Sequence, residues 1–187
     1  MASADCPYVS RGGLKLAAAL RAFGVDVHGL TCADLGSHVG GFVDCLLIGG
    51  AARVFAVDTG YGVLAWRLRK DPRVVTCERT NALHFVPPTP CDLVTIDVGW
   101  TPQRLILGAA KKMIGASGLI VTLVKPHYEA PREWLRGGVL MPERVDETLA
   151  GVRAQITALS WMIRGEIESP VRGHGGNVEF LALLTLA

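Results

Sequence analysis

Four ionisable side chains stand where an alternating α/β chain places its chemistry. Asp97 follows one apolar run, 91–96, and Lys125 follows another, 119–124. Glu179 opens the last apolar run, after Gly175-Gly176-Asn177, and Lys15 interrupts an otherwise apolar N-terminal helical segment. If the two runs are strands of one sheet, Asp97 and Lys125 point into the same crevice at its carboxyl edge. Two lysines with two acids make a nearly neutral cluster, because each carboxylate stabilises a nearby ammonium against burial. Such a cluster suits an oxygen nucleophile that must be held in place and relieved of its proton. The alternative for the same residues is an ion-pair network that only closes the sheet edge.

A group to be transferred has to be held beside them. Asp34-Leu-Gly36-Ser37-His38-Val39-Gly40-Gly41-Phe42 directly follows the first strand. Gly36 permits a tight turn and a close approach to a ligand, and Gly40 with Gly41 opens the next helix. A Gly-rich turn alone is equally well explained as a tight connection without a ligand. Asp58 adds weight, since a carboxylate ending the second strand, in Val57-Asp58-Thr59-Gly60, can accept both hydroxyls of an adenosine ribose. Asn81-Ala82, after the third strand, could meet the adenine through a backbone N–H or the Asn amide, although Asn is also an ordinary turn residue. NAD and S-adenosylmethionine (SAM) both satisfy these positions. The turn reads G-x-x-x-G-G rather than G-x-G-x-x-G, so the dinucleotide fingerprint is not met and an amino-acid-bearing cofactor is favoured over a pyrophosphate.

Methyl transfer from a sulfonium to an alcohol asks the protein mainly to position the oxygen and remove its proton. No Cys stands beside a paired Pro after the fourth strand, as covalent attack on a pyrimidine carbon would need. That place reads Asp97-Val98-Gly99-Trp100, without the Pro-Pro-Tyr that suits an exocyclic amine.

These residues need a scaffold, and periodicity supplies one. Apolar spacing predicts helices over 12–23, 41–48, 63–70, 102–114 and 142–159, the first closed by Gly24. Strands are expected over 30–35, 52–57, 73–77, 91–96, 119–124, 162–167 and 178–186. The alternation predicts a doubly wound α/β fold, with a mostly parallel seven-stranded sheet and an antiparallel last strand. No linker or repeat interrupts it, so one domain over 1–187 is expected, with 8–24 as a helical lead-in.

Composition sets the outer bounds. With 187 residues and 50% hydrophobic side chains, the chain fills one core but not two ordinary ones. A formal charge of +2 neither demands nor forbids nucleic acid, because a local basic face matters more than the sum. Cys6, Cys32, Cys45, Cys77 and Cys91 are scattered without C-x-x-C spacing, which reads as reduced thiols and no metal. Asp5, Pro7 and Arg11 break any secretory leader, and apolar runs stop short of the ~18 residues a spanning helix needs. A cytoplasmic protein is expected, with no membrane partner.

The motifs also carry a family resemblance. Tyr8-Val-Ser-Arg-Gly-Gly-Leu-Lys15-Leu, Asp34-x-Gly36-x-x-x-Gly40-Gly41-Phe42, Val57-Asp58-x-Gly60-Tyr61-Gly62, Glu78-Arg79-Thr80-Asn81-Ala82, Ile96-Asp97-Val98, Val124-Lys125-Pro126 and Gly176-Asn177-x-Glu179-Phe180-Leu181 run in order over nearly the whole chain. Together they resemble the hemolysin-A (TlyA) type of RNA methyltransferase, within the wider FtsJ-like 2′-O-ribose methyltransferases. The resemblance implies a Rossmann-like, SAM-dependent enzyme acting on 16S and 23S rRNA, with ribosomal RNA or a ribosomal subunit as partner. It places the family's catalytic Lys-Asp-Lys-Glu tetrad on Lys15, Asp97, Lys125 and Glu179, with Lys125 facing the acceptor hydroxyl. Cofactor contacts are expected from Asp34, Gly36, Ser37, His38, Gly40, Gly41, Phe42, Asp58, Thr59, Asn81, Ala82 and Asp97.

The chain departs from the family pattern in three places. The sequence starts almost at Tyr8-Val-Ser-Arg, whereas typical members carry an S4 RNA-binding domain ahead of that motif. His38-Val39 stands where the family shows Ser-Thr, so two hydroxyls near the methionine part of SAM are absent and His38 could meet its carboxylate instead. Gly99-Trp100-Thr101-Pro102 replaces a Ser-Phe-Ile-Ser-like segment beside Asp97. The alternative to an enzyme is therefore a SAM- and RNA-binding relative that methylates weakly or not at all. A pore-former is disfavoured by the α/β pattern, and a dehydrogenase by the turn spacing. Arg11, Lys15, Arg132, Arg136, Arg172 and His174 are expected near the carboxyl edge as a phosphate-binding rim.

Overall fold

A computed structural model describes residues 6–187, and residues 1–5 of the expected domain span lie outside the described residues. The strands are β1 (Thr31–Leu35), β2 (Arg53–Val57), β3 (Val74–Cys77), β4 (Cys91–Ile96), β5 (Ile114–Val124), the short hairpin β6 (Leu135–Arg136) and β7 (Val139–Leu140), then β8 (Trp161–Glu168) and β9 (Phe180–Leu186). Seven of them form one sheet in the order β3-β2-β1-β4-β5-β9-β8. The five from β3 to β5 are parallel, and β9 is antiparallel to both β5 and β8. The mostly parallel sheet with an antiparallel last strand thus forms as the alternation predicted.

Helices α1 (Gly12–Phe23), α2 (Gly41–Ile48) and α3 (Trp66–Arg69) cover one face of the sheet, and α4 (Gln103–Ala110) and α6 (Val145–Ala158) cover the other. A short helix, α5 (Pro126–Glu129), follows β5 directly. Side-chain alternation along each strand builds two cores at once. Ala33, Leu35, Val94 and Ile96 pack with Ile106, Leu107 and Val152. Cys32, Val54, Leu93 and Leu123 pack with Leu16, Val43 and Leu46 on the opposite face. Asp34 shares the alternation of Cys32, so its carboxyl lies on the side of α1 and α2.

The chain winds outward from β1 through β2 to β3, then returns to lay β4 on the other side of β1. This reversal opens a crevice beyond Leu35 and Ile96, where a ligand can enter between diverging connections. Gly36 makes the crevice narrow at its floor. It has φ +87°, and a Cβ there would lie 2.5 Å from the Asp97 carbonyl oxygen.

The elements differ from the periodicity in places. The helix expected over 63–70 shortens to Trp66–Arg69, because Gly62 turns with φ +71° and Ala65 N–H donates to the Val39 carbonyl instead of a helical partner. The helix expected over 102–114 stops at Ala110, and Ile114 already belongs to β5. There the Cys91 N–H bonds the Met113 carbonyl, and a register shift between Cys91 and Leu93 absorbs the extra residues. The helix expected over 142–159 opens with a 3₁₀ turn at Pro142–Arg144. The β6–β7 hairpin had a signal in Gly137-Gly138, whose φ values of +56° and +81° suit a tight two-residue turn.

Candidate active site

The crevice has two lobes that share Gly36, His38 and Asp97. The first encloses about 380 Å³ between the N-terminal ends of α1 and α2, the start of α5 and the segment leading into β9. The second encloses about 370 Å³ between the ends of β2 and β4 and the turn after β3. Their chemistry differs. The second lobe sets the apolar Val57, Ala82, Leu83, Val98 and Ile106 beside the polar Asp58, Thr59, Thr80, Asn81 and Thr101, whereas charged side chains and helix N-termini surround the first.

The four ionisable residues all line the first lobe, and they meet as two pairs rather than one cluster. Lys15 Nζ lies 2.5 Å from Glu179 Oε2, joining α1 to the entrance of β9, with both side chains largely buried. Lys125 Nζ lies 2.6 Å from Asp97 Oδ1 and also donates to the Val98 carbonyl at 3.0 Å. Two of its three N–H bonds are thereby committed, which fixes the direction of the third. Glu179 depends on Gly173 for its room, since a Cβ at residue 173 would sit 2.1 Å from Glu179 Oε1.

Asp34 is buried between the lobes' floor and the sheet. Its Oδ1 accepts from Thr95 Oγ1 at 2.7 Å, while Oδ2 is buried with no partner. Burial pushes the carboxyl up to about 8, with Asp97 and Asp58 adding repulsion and the Thr95 bond opposing it. A buried acceptor left open at a cavity wall suits a cationic donor from a ligand.

In the second lobe, Asp58 organises the entrance. Oδ2 accepts from the His38 N–H at 2.8 Å and Oδ1 from the Gly60 N–H at 2.7 Å, so one carboxylate ties the Gly36 turn to the loop after β2. His38 holds this position with φ +47°. Each Asp58 oxygen keeps a further lone pair for a ligand hydroxyl. The Asn81 side-chain Oδ1 accepts from the Leu83 N–H at 2.9 Å, an Asx turn that leaves the Nδ2 amide and the Ala82 backbone beside the lobe.

Of the remaining expected cofactor residues, Ser37, Gly41 and Phe42 line the first lobe and Thr59 the second. Gly40 lines neither; Leu64 and Leu68 occupy the space a side chain there would take. Arg11, Arg172 and His174 of the expected rim border the first lobe, whereas Arg132 and Arg136 border neither.

Sequence reasoning missed three residues of the first lobe or its mouth. His127 and Tyr128, in α5, line the cavity. Trp100 is 82% exposed, has φ +61° and stacks on Tyr128 with ring centroids 4.6 Å apart. The signal was Trp100 itself, a large apolar side chain three residues after Asp97, but only the fold brings it to Tyr128.

A sheet of this order, with a ligand crevice at its reversal and ion-paired lysines beside it, defines a Rossmann-like methyltransferase fold. The chain belongs to the FtsJ-like methyltransferase family, whose model matches residues 8–186. It is 42% identical to YqxC of Bacillus subtilis (strain 168) over 93% of this chain and 64% of that protein. It is 41% identical to the 16S/23S rRNA (cytidine-2′-O)-methyltransferase TlyA of Mycobacterium tuberculosis (strain ATCC 25618 / H37Rv), over 95% of this chain and 68% of that one. The chain thus spans about two thirds of the length of these relatives. A solved protein that goes under the name hemolysin, from Streptococcus thermophilus, superposes with a TM-score of 0.94 at 37% identity, covering 99% of this chain and 69% of that one.

Proposed function

We propose that this chain transfers the methyl group of SAM to a ribose 2′-hydroxyl of ribosomal RNA. The observation that carries the reading is the Lys125–Asp97 pair at 2.6 Å, placed where the two lobes of the crevice meet. The match to TlyA, named for cytidine 2′-O-methylation of rRNA, points to the same chemistry.

The residues present fit SAM. Asp58 would take the ribose hydroxyls, and the apolar walls around Ala82 and Ile106 would take the adenine. The open Asp34 Oδ2 would accept from the amino group of the methionine part. The N-terminal ends of α1 and α2, which favour negative charge, would face its carboxylate, with Ser37 and Phe42 alongside. When bound, SAM supplies an electrophilic methyl on a sulfonium.

Everything else falls to the protein. Lys125 presents its remaining N–H to the acceptor oxygen and stabilises the negative charge that grows there as the proton leaves. Asp97 holds that lysine in place and is the nearest base to receive the proton. Lys15, fixed by Glu179, borders the acceptor side and helps orient the ribose. Arg11 and Arg172, at the cavity rim, contact phosphates. Residues 1–187 are read as one methyltransferase domain that acts in the cytoplasm, where rRNA is met. Among the described residues no helix is long and apolar enough to cross a membrane.

The test is incubation of the chain with methyl-labelled SAM and unmodified ribosomal subunits or rRNA, followed by mass analysis of nucleosides. A 2′-O-methylated nucleoside supports the reading. Binding of both ligands without any methylated product supports the weak or inactive alternative.

A further inference from the structure

His127 is buried in the catalytic lobe and has no part in either lysine–acid pair. Only 7% of it is exposed, and its Nδ1 is buried with no partner. The ring packs against Tyr128 at a centroid distance of 4.2 Å. Lys125 two residues before it, Lys15 from α1 and His174 from the turn before β9 act on it electrostatically, while Asp97 and Glu179 line the same cavity. Burial first, and then those three neighbours, push the imidazole down to about 4, so it is neutral at physiological pH.

A neutral imidazole donates from one nitrogen and accepts at the other. The lysines and carboxylates around it are already paired, so His127, like Asp34 Oδ2 in the same lobe, keeps hydrogen-bonding capacity that the protein leaves unmet. A buried polar atom without a partner costs stability, and a ligand that supplies the partner removes that cost. The partner is a neutral hydroxyl rather than a phosphate or carboxylate. An anion would find stronger donors in Arg11 and Arg172 at the rim, whereas a hydroxyl can both give and take a hydrogen bond. It belongs to the acceptor rather than the cofactor, because His127 follows β5 two residues after Lys125, whereas Asp34, Ser37 and Phe42, assigned to the methionine part of SAM, stand on β1, the turn after it and the start of α2.

We propose that His127 is a positioning residue that hydrogen-bonds a ribose hydroxyl of the acceptor nucleotide and so sets the target oxygen against Lys125. This rests on reading the lobe as a site for RNA ribose.

Two variants test it, His127→Phe, which keeps a ring but no nitrogen, and His127→Asn, whose amide can stand near the Nδ1 position. Each is assayed for methyl transfer to rRNA, for SAM affinity by calorimetry and for melting temperature. His127→Phe is expected to lose about 10-fold to 100-fold in kcat/KM for RNA, with SAM affinity and folding retained, and His127→Asn to recover part of the loss. An active wild type matched by an equally active His127→Phe overturns the inference alone. Equal losses in both variants, accompanied by weakened SAM binding, overturn it in favour of a structural or cofactor role. A wild-type chain that methylates no RNA defeats the reading of the site and this inference with it. Should His127→Phe fail to fold, the imidazole ¹⁵N resonances of the wild-type protein decide: RNA binding shifts the His127 Nδ1 signal, and an unmoved signal overturns the proposal.

Discussion

Lys125 and Asp97 leave adjacent parallel strands, β5 and β4, and close a 2.6 Å ion pair across the mouth between the two lobes. Because Asp97 borders both lobes and Lys125 only the first, the pair stands between the slot assigned to the adenosine and the cavity assigned to the ribose. Its position follows from the sheet. Parallel strands in register put their carboxyl ends side by side, and each chain continues outward from there.

Asp58 tests the cofactor half. Replacing it with Ala removes the acceptor expected for the ribose hydroxyls and also the bonds from His38 and Gly60. SAM affinity measured by calorimetry should fall about 10-fold to 100-fold, the worth of a charged hydrogen bond. Unchanged affinity would remove the ribose from this lobe.

Asp34 makes a prediction about pH. Its carboxyl is raised to about 8 in the folded chain, so folding binds a proton that the unfolded chain releases near its ordinary range. The ligand-free protein therefore loses stability as pH rises from about 4 to about 8 on account of this group, and the loss is complete above the folded value. Asp34→Asn should melt higher than wild type, by a margin that widens across that interval, while binding SAM more weakly. SAM binding near pH 7 should release a proton as Asp34 ionises against the amino group, which calorimetry in buffers of different ionisation enthalpy detects. A melting difference that does not change with pH would contradict this account.

How much of this was legible beforehand depended on whether a residue's role was local. Asp97 and Lys125 end apolar runs, and Gly36 marks a tight turn after a strand, so strand ends and periodicity were enough to place them. The start of β5 at Ile114 was hidden, because a bulge opposite Cys91 and the glycines at 115 and 118 break the alternation there. His127 was hidden for another reason: its neutrality comes first from burial and then from Lys125, Lys15 and His174, and both the burial and the approach of Lys15 and His174 exist only after folding. Arg132 and Arg136 fall in a segment expected near the carboxyl edge, yet Arg132 opens a 3₁₀ turn and Arg136 lies in β6, and neither borders either lobe.

Trp100 tests how the acceptor is held. Its exposed ring, braced on Tyr128, offers an aromatic face at the cavity mouth on which an unpaired base can stack. Trp100→Ala should raise the KM for RNA about 10-fold and leave SAM affinity unchanged, since base–aromatic stacking is worth about 1–3 kcal/mol. An unchanged KM would place the acceptor base elsewhere.

The central claim is that Lys125 serves the chemical step. Methyl transfer from labelled SAM to rRNA by folded Lys125→Ala, with SAM affinity measured on the same preparation, tests it most directly. The rate should fall about 10²-fold to 10⁴-fold with affinity nearly unchanged, and Lys125→Arg should restore little, because a planar guanidinium cannot reproduce the compact ammonium held by Asp97 and the Val98 carbonyl. A Lys125→Ala protein that methylates rRNA at the wild-type rate, or that loses SAM binding in equal measure, would contradict it.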